Sequence, residues 1–274
     1  MSMYMIAIAF VCGIIGALTG AFQECLLAGI IMVFMTAFPQ VSLLGDLVSY
    51  GFIPFVAFSG AVAATAYASK VRKHDFGGAA ILTSLCKTAD LSVLLVSGVF
   101  AVIGLAMATA LGKIPITFDN GAVSVIISAV FVRIVFGDGK FLNPNLKSMP
   151  RYSTKKSEWF FWLGLGLVIG CGAGFIIDKT GNAFLPFYLS LASLLFWFLE
   201  NDFPPSHHIT CTAGYAMLAT NSILAAAVWG AIACAMSTFI GDAINTDAST
   251  HIDPPATTIG ILSIIIYIIY YVIL

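Results

Sequence analysis

Apolar residues run along this chain in long blocks, broken by short clusters of charge, glycine and proline. Blocks that read as helical spans fall at roughly 4–22, 51–69, 90–111, 121–137, 159–177, 183–199, 221–243 and 255–273. A helix needs about 20 such residues to cross the roughly 30 Å hydrocarbon core of a bilayer. Two shorter apolar stretches remain at 76–88 and 205–220, and 24–38 reads as a ninth span or a partial one. The alternating segments of a membrane β-barrel do not occur. The pattern predicts an all-α polytopic membrane protein.

The longest polar interruption, "DGKFLNPNLKSMPRYSTKKSE" at 138–158, cuts the chain almost in half. Three pairs of segments resemble each other across it, in the same order and at nearly constant offset. "GFIPFVAF" (51–58) resembles "AFLPFYLS" (183–190), matching Pro54 to Pro186. "HDFGGAAILTSL" (74–85) resembles "NDFPPSHHITCT" (201–212), and "FDNGAVSVII" (118–127) resembles "IDPPATTIGI" (252–261), matching Asp119 to Asp253. These matches predict an internal duplication: repeat 1 at 1–137, a linker at 138–158 and repeat 2 at 159–274.

Charge then suggests a topology. Nine of the twelve lysines and arginines lie at 70–73, at Arg133 or within 138–158, and the positive-inside rule places both basic loops in the cytoplasm. Residues 74–120 must then cross an even number of times, which makes 76–88 a re-entrant half-helix. The same logic makes 205–220 re-entrant. Two parallel pseudo-repeats result, each of about four spans plus one re-entrant half-helix, with outer loops at 112–119 and 244–253.

Composition agrees. Of 274 residues 60% are hydrophobic and 9% charged, with a mean hydropathy of +1.01. Soluble domains carry about 25% charge, so too few charges are present to cover a water-facing surface. The net charge of -1 gives no basis for nucleic-acid binding. The cysteines (Cys12, Cys25, Cys86, Cys171, Cys211 and Cys234) lie scattered in apolar segments and read as small buried residues. The first stretch lacks a basic n-region and reads as a retained helix. "GIIGALTG" (13–20) and "GLGLVIGCGAG" (164–174) space small residues for close helix packing or an oligomer contact. Trp159, Trp162, Tyr267, Tyr270 and Tyr271 read as interface anchors or packing.

The polar residues gather at the junctions. All four histidines (His74, His207, His208 and His251) lie there, with Asp75, Asp119, Asp202 and Asp253. Such residues relay protons, coordinate cations or hydrogen-bond a polar substrate. Against that, Asp75, Asp202 and Asp253 each precede a helix and so have the placement of a cap. Adjacent imidazoles at His207 and His208 are costly to desolvate without partners, and Thr210 and Thr212 continue a polar face behind them. Lys87 and Asp90 stand three apart, close enough to pair on one helical face, and Arg133 reads as a snorkelling residue. No spacing implies a metal or another cofactor.

"THIDPPATTIGIL" (250–262) resembles the signature of the HPP family of integral membrane proteins, with Asp253 in the place of that family's histidine. The resemblance implies transport of a small anion such as nitrite. Together with "PFVAFSGAVAATAYASK" (54–70) and Ser206–Thr210, the His251–Ala256 run also resembles an uncharacterised bacterial membrane family that implies no activity. The expectation is therefore a multi-pass protein of the inner (plasma) membrane that is a transporter or channel for a small polar solute or ion. Its binding residues would be His207, His208, Thr210, His251 and Asp253, with Asp75, Lys87, Asp90 and Asp119 as weaker counterparts. Its partners would be the lipid bilayer, that substrate and further copies of the chain. An intramembrane enzyme using His and Asp, and a scaffold whose polar junctions only cap helices, are the alternatives.

Overall fold

The computed structural model describes residues 1–142, 156–199 and 203–273, and the folded elements are helical. Among the described residues twelve α-helices follow one another: α1 (Met3–Thr19), α2 (Ala21–Ala37), α3 (Ser42–Tyr50), α4 (Ser59–Lys70), α5 (Leu91–Leu111), α6 (Asn120–Val135), α7 (Lys156–Thr180), α8 (Leu185–Ala192), α9 (Leu195–Leu199), α10 (His207–Thr220), α11 (Ile223–Asn245) and α12 (Pro254–Tyr267). Two π-helical turns, Pro54–Phe58 and Ile268–Ile273, extend α4 and α12. In hydrocarbon a backbone must satisfy its own N–H and C=O groups, which an uninterrupted apolar helix does. Leu91–Leu111, Glu158–Thr180, Ile223–Asn245 and Pro254–Ile273 are long and apolar enough to cross a membrane. The chain is an all-helical membrane protein.

Local chemistry sets the ends of these helices. Asp90 caps α5 by accepting from Ser92 N–H at 2.9 Å, and Ser222 caps α11 by accepting from Ala225 N–H at 3.3 Å. Gly20, at φ 108°, turns the chain between α1 and α2 in a conformation that strains any L side chain. Asn221 makes the corresponding left-handed turn between α10 and α11. Ser42–Tyr50 and Pro54–Lys70 together form a broken apolar helix bent by 42°.

The chain divides into two compact units. The first comprises Met1–Pro115, Asn120–Phe141 and Asp247–Asp253; the second comprises Ile116–Asp119, Leu142–Thr246 and Pro254–Leu274. Each unit therefore contains the short segment that leads into the other's last helix. In the first, α1, α4 and α5 pack at glycine distance: a Cβ on Gly13 would lie 2.5 Å from the Ala101 Cβ, and one on Gly60 2.4 Å from the Ser97 carbonyl. In the second, Gly166, Gly170 and Gly174 of α7 lie against Ala226, Ala227 and Gly230 of α11. Both glycine-rich runs thus serve close packing. Cys86 and Cys171 are exposed, contrary to the expectation for the cysteines, while the other four are buried and none is in a disulfide.

The structure changes two parts of the expected topology. Residues 76–88 form no half-helix; they are turns ending in a 3-10 turn at Leu85–Thr88. Side chains pin this stretch to its neighbours: Ser69 donates to the Phe76 carbonyl at 2.5 Å, Gln23 to Leu82 at 2.7 Å, and Ser84 to Leu18 in the reverse sense at 2.6 Å. The counterpart 205–220 is a true helix, α10, whose 14 residues span about 21 Å at 1.5 Å per residue, short of a full crossing.

The second change concerns the loop 244–253, expected on the face opposite the linker 138–158. Ser249 instead hydrogen-bonds Asp138, both to its carboxylate at 2.7 Å and from its N–H at 3.1 Å. That contact sets 247–253 at the C-terminal end of α6, whereas 112–119 leads into its N-terminal end. The parallel arrangement rested on those two loops sharing a face, and it loses that ground. Residues 143–155, most of the expected linker, and Asp202 lie outside the described residues.

Candidate functional site

The polar groups of the first unit converge where 247–253 meets α6. Asp253 precedes Pro254, and a residue before proline is held in extended backbone. In an extended segment residues i and i+2 share a side, so His251 and Asp253 face together. Their Nε2 and Oδ1 atoms lie 3.4 Å apart, and Phe58 meets the imidazole edge-on at 6.2 Å. His251 is 8% exposed. The pair lines a narrow crevice with Phe58, Ser59, Val62 and, from α6, Val125, Ser128, Ala129 and Val132. In this conformation the crevice is too narrow for a water-sized sphere.

Arg133 holds this segment in place. The snorkelling expectation is wrong here: the side chain is 1% exposed and turns inward. Its Nη2 donates to the Thr250 carbonyl, its Nε to Thr250 Oγ1 at 3.2 Å and its Nη1 to the Lys140 carbonyl at 3.5 Å. Buried carbonyls in a non-helical segment need such donors, and a planar guanidinium supplies several from one side chain. The hydroxyl of Ser249 holds the Asp138 carboxyl below the usual carboxylate range.

The second unit has a polar group of its own. Asp119 accepts from the Tyr215 hydroxyl at 2.8 Å, its N–H donates to Ser263 Oγ at 3.0 Å, and Cys211 Sγ lies 3.8 Å from its carboxylate. His207, Cys211 and Tyr215 recur every four residues, which puts them on one face of α10. The His207 ring meets Phe187 at 6.4 Å and His208 at 5.9 Å, both edge to face. His208 is buried, and so is Thr210, whose hydroxyl shares a 2.8 Å hydrogen bond with that of Ser190. Cys211 and Tyr215 escaped the sequence reading, although their four-residue spacing from His207 is a legible signal.

Asp75, Lys87 and Asp90 lie elsewhere in the first unit, toward its surface. Asp75 is exposed, and the exposed Lys87 places its ammonium 5.0 Å over the Phe76 ring. The expected Lys87–Asp90 pairing does not form, because the left-handed Ala89 (φ 48°) ends the 3-10 turn before Asp90. Asp90 instead pairs with Arg72 at 2.6 Å and approaches His74 at 3.7 Å.

The Ser92 hydroxyl, followed by the Arg72 guanidinium, holds the Asp90 carboxyl well below its usual range. A depressed carboxyl stabilises the fold above its unfolded value, about 3.9, and loses that contribution as pH falls toward its folded value. Asp90→Asn is thus expected to unfold at lower temperature than the parent at neutral pH. The gap should narrow on acidification below about pH 4; thermal unfolding followed across pH checks this, and a constant gap contradicts it.

Among the described residues no three His, Cys, Asp or Glu side chains are grouped closely enough to hold a metal ion. The chain matches DUF7973, a family of unknown function, over residues 1–141 and 146–274. No curated protein and no solved structure matches it significantly.

Proposed function

The chain belongs to DUF7973, so its activity has to be read from its own residues, and we propose that it is a membrane transporter or channel for a small polar solute or ion. One observation carries this reading: Asp253 and Asp119, matched across the two halves, each stand just ahead of a long or apolar helix in contact with a buried or half-buried polar partner. Asp253 has His251, and Asp119 has Tyr215. Ionisable groups inside a membrane protein are expensive and mark substrate, ion or proton pathways. The bent Ser42–Tyr50 and Pro54–Lys70 pair and the short α10 add interrupted helices, which in transporters form the binding site.

In this reading His251 and Asp253, with Ser59 and Ser128 across the crevice, contact the solute in the first unit. Asp119, His207, His208 and Thr210 do so in the second. The resemblance of 250–262 to the HPP signature favours a small anion. The membrane is the plasma membrane, with the basic loops 70–73 and 138–158 on its cytoplasmic side.

The test is flux into proteoliposomes across a panel of small anions including nitrite, small cations and neutral amides. At least one should move, and His251→Ala or Asp253→Asn should slow it about tenfold or more, a loss of at least about 1.4 kcal/mol in the rate-limiting barrier. Purified variants with unchanged melting would exclude a folding defect. If nothing on the panel crosses faster than into protein-free liposomes, the reading fails.

A further inference from the structure

Glu24, in the first turn of α2, is 0% exposed, the most enclosed acidic side chain among the described residues. Both of its carboxyl oxygens are buried without a partner at hydrogen-bond geometry. The neighbouring Cys25 thiol interacts with it only as a weak donor. We propose that Glu24 is a proton-binding site, a carboxyl that is protonated in this closed conformation and releases its proton when the first unit opens to water. The proposal rests on the transport reading for its role, but not for the protonation itself.

The surroundings determine the charge state. Helices α1, α3 and α4 and the Pro54–Phe58 turn pack against α2. Their titratable groups are Tyr4 and Cys12 on α1, Asp46 and Tyr50 on α3, and Tyr67 and Lys70 on α4; the turn has none, and the stretch 76–88, which meets α2 through Phe22 and Gln23, adds Cys86 and Lys87. Asp46 is engaged by the Tyr4 hydroxyl at 2.8 Å. Among the described residues Cys12 and Cys25 interact electrostatically with Glu24, and both are neutral thiols when protonated. No cation compensates it among the described residues. A bare carboxylate there would lose the solvation that water gives it, with no cation to replace it. A first-turn acid that merely complemented the helix dipole would need to be ionised, and this environment opposes ionisation.

Position links this carboxyl to the polar pair already described. Cys25 is within electrostatic reach of both Glu24 and Asp253. When water enters, the O–H bond of the Glu24 carboxyl breaks and its proton passes to a water molecule, leaving a carboxylate and a hydronium ion. Closure requires the reverse transfer, so one proton is exchanged per opening.

The experiment treats the full chain in micelles with dicyclohexylcarbodiimide, an apolar reagent that attacks protonated carboxyl groups, and locates the adduct by peptide mass spectrometry. Glu24 should be labelled at neutral pH in preference to the exposed Asp75. Labelling should fall roughly tenfold per pH unit once the carboxyl begins to ionise. Glu24→Gln should remove that adduct and keep the melting temperature of the parent. Labelling no greater than at Asp75, or labelling indifferent to pH, overturns the proposal. The readout needs no substrate, so absent flux with pH-dependent labelling would reject the transport reading and leave Glu24 as a proton site.

Discussion

Arg133→Met should destabilise the purified protein by about 3 kcal/mol, because two buried acceptors on Thr250 lose their donor at about 1–3 kcal/mol each. The methionine fills much of the arginine volume, so the loss reports unsatisfied oxygens and not an empty space. Thr250 is fully enclosed, and water cannot take the place of the guanidinium without opening the segment. Arg133→Lys should recover only part of the loss, since an ammonium lacks the planar set of donors that serves the Thr250 hydroxyl, its carbonyl and the Lys140 carbonyl together. Thermal unfolding in detergent measures both variants. Protease sensitivity within 247–253 should rise in step, and unchanged melting of Arg133→Met would show that the clamp contributes nothing.

Gly104→Ala should be more damaging still. A Cβ at that position would lie 1.8 Å from the Phe55 carbonyl oxygen and 3.0 Å from its carbon. The obstacle is backbone, so no rotamer change relieves it, and α5 must move away from the Pro54–Phe58 turn. Overpacking costs about 1–3 kcal/mol in ordinary cases and occasionally more, and this contact belongs at the upper end. Displacing the turn also moves Phe58 away from His251 and strains the hydrogen bond from Ser124 Oγ to the Gly104 carbonyl, 3.0 Å long. Loss of folded protein on size-exclusion chromatography checks the expectation. Gly45→Ala is the control: nothing lies within 4 Å of its added methyl, and alanine in a helix is favoured over glycine by about 0.5–1 kcal/mol.

Hydropathy made most of the helices legible, because burying a backbone in hydrocarbon leaves the chain little choice beyond a helix. Expected spans at 90–111 and 221–243 correspond to Leu91–Leu111 and Ile223–Asn245. It failed for 76–88, where a run rich in alanine, glycine and leucine is tied down by Gln23, Ser69 and Ser84, distant side chains that no local pattern reveals. Arg133 carries a related lesson. A cation in the last turn of an apolar helix has the same sequence context whether it reaches outward to water or inward to a carbonyl more than a hundred residues away.

The polar residues divide in a similar way. His251 and Asp253 were legible as a pair because proline fixes the extended backbone that aligns them. Asp119 was legible only through its match to Asp253, and Tyr215 only through helical spacing. Glu24 gave no signal at all, since one acid in an apolar run looks the same whether solvated or enclosed.

The exchange of short segments between the units bears on how the protein is made. During synthesis α6 enters the membrane long before Thr250 leaves the ribosome, so the guanidinium of Arg133 first meets the lipid without its later acceptors. Arg133 stands in the last turn of α6, where a long cationic side chain can reach the interface while its acceptors are still unmade. The first half therefore reaches its final hydrogen bonding only once residues 247–253 have been made.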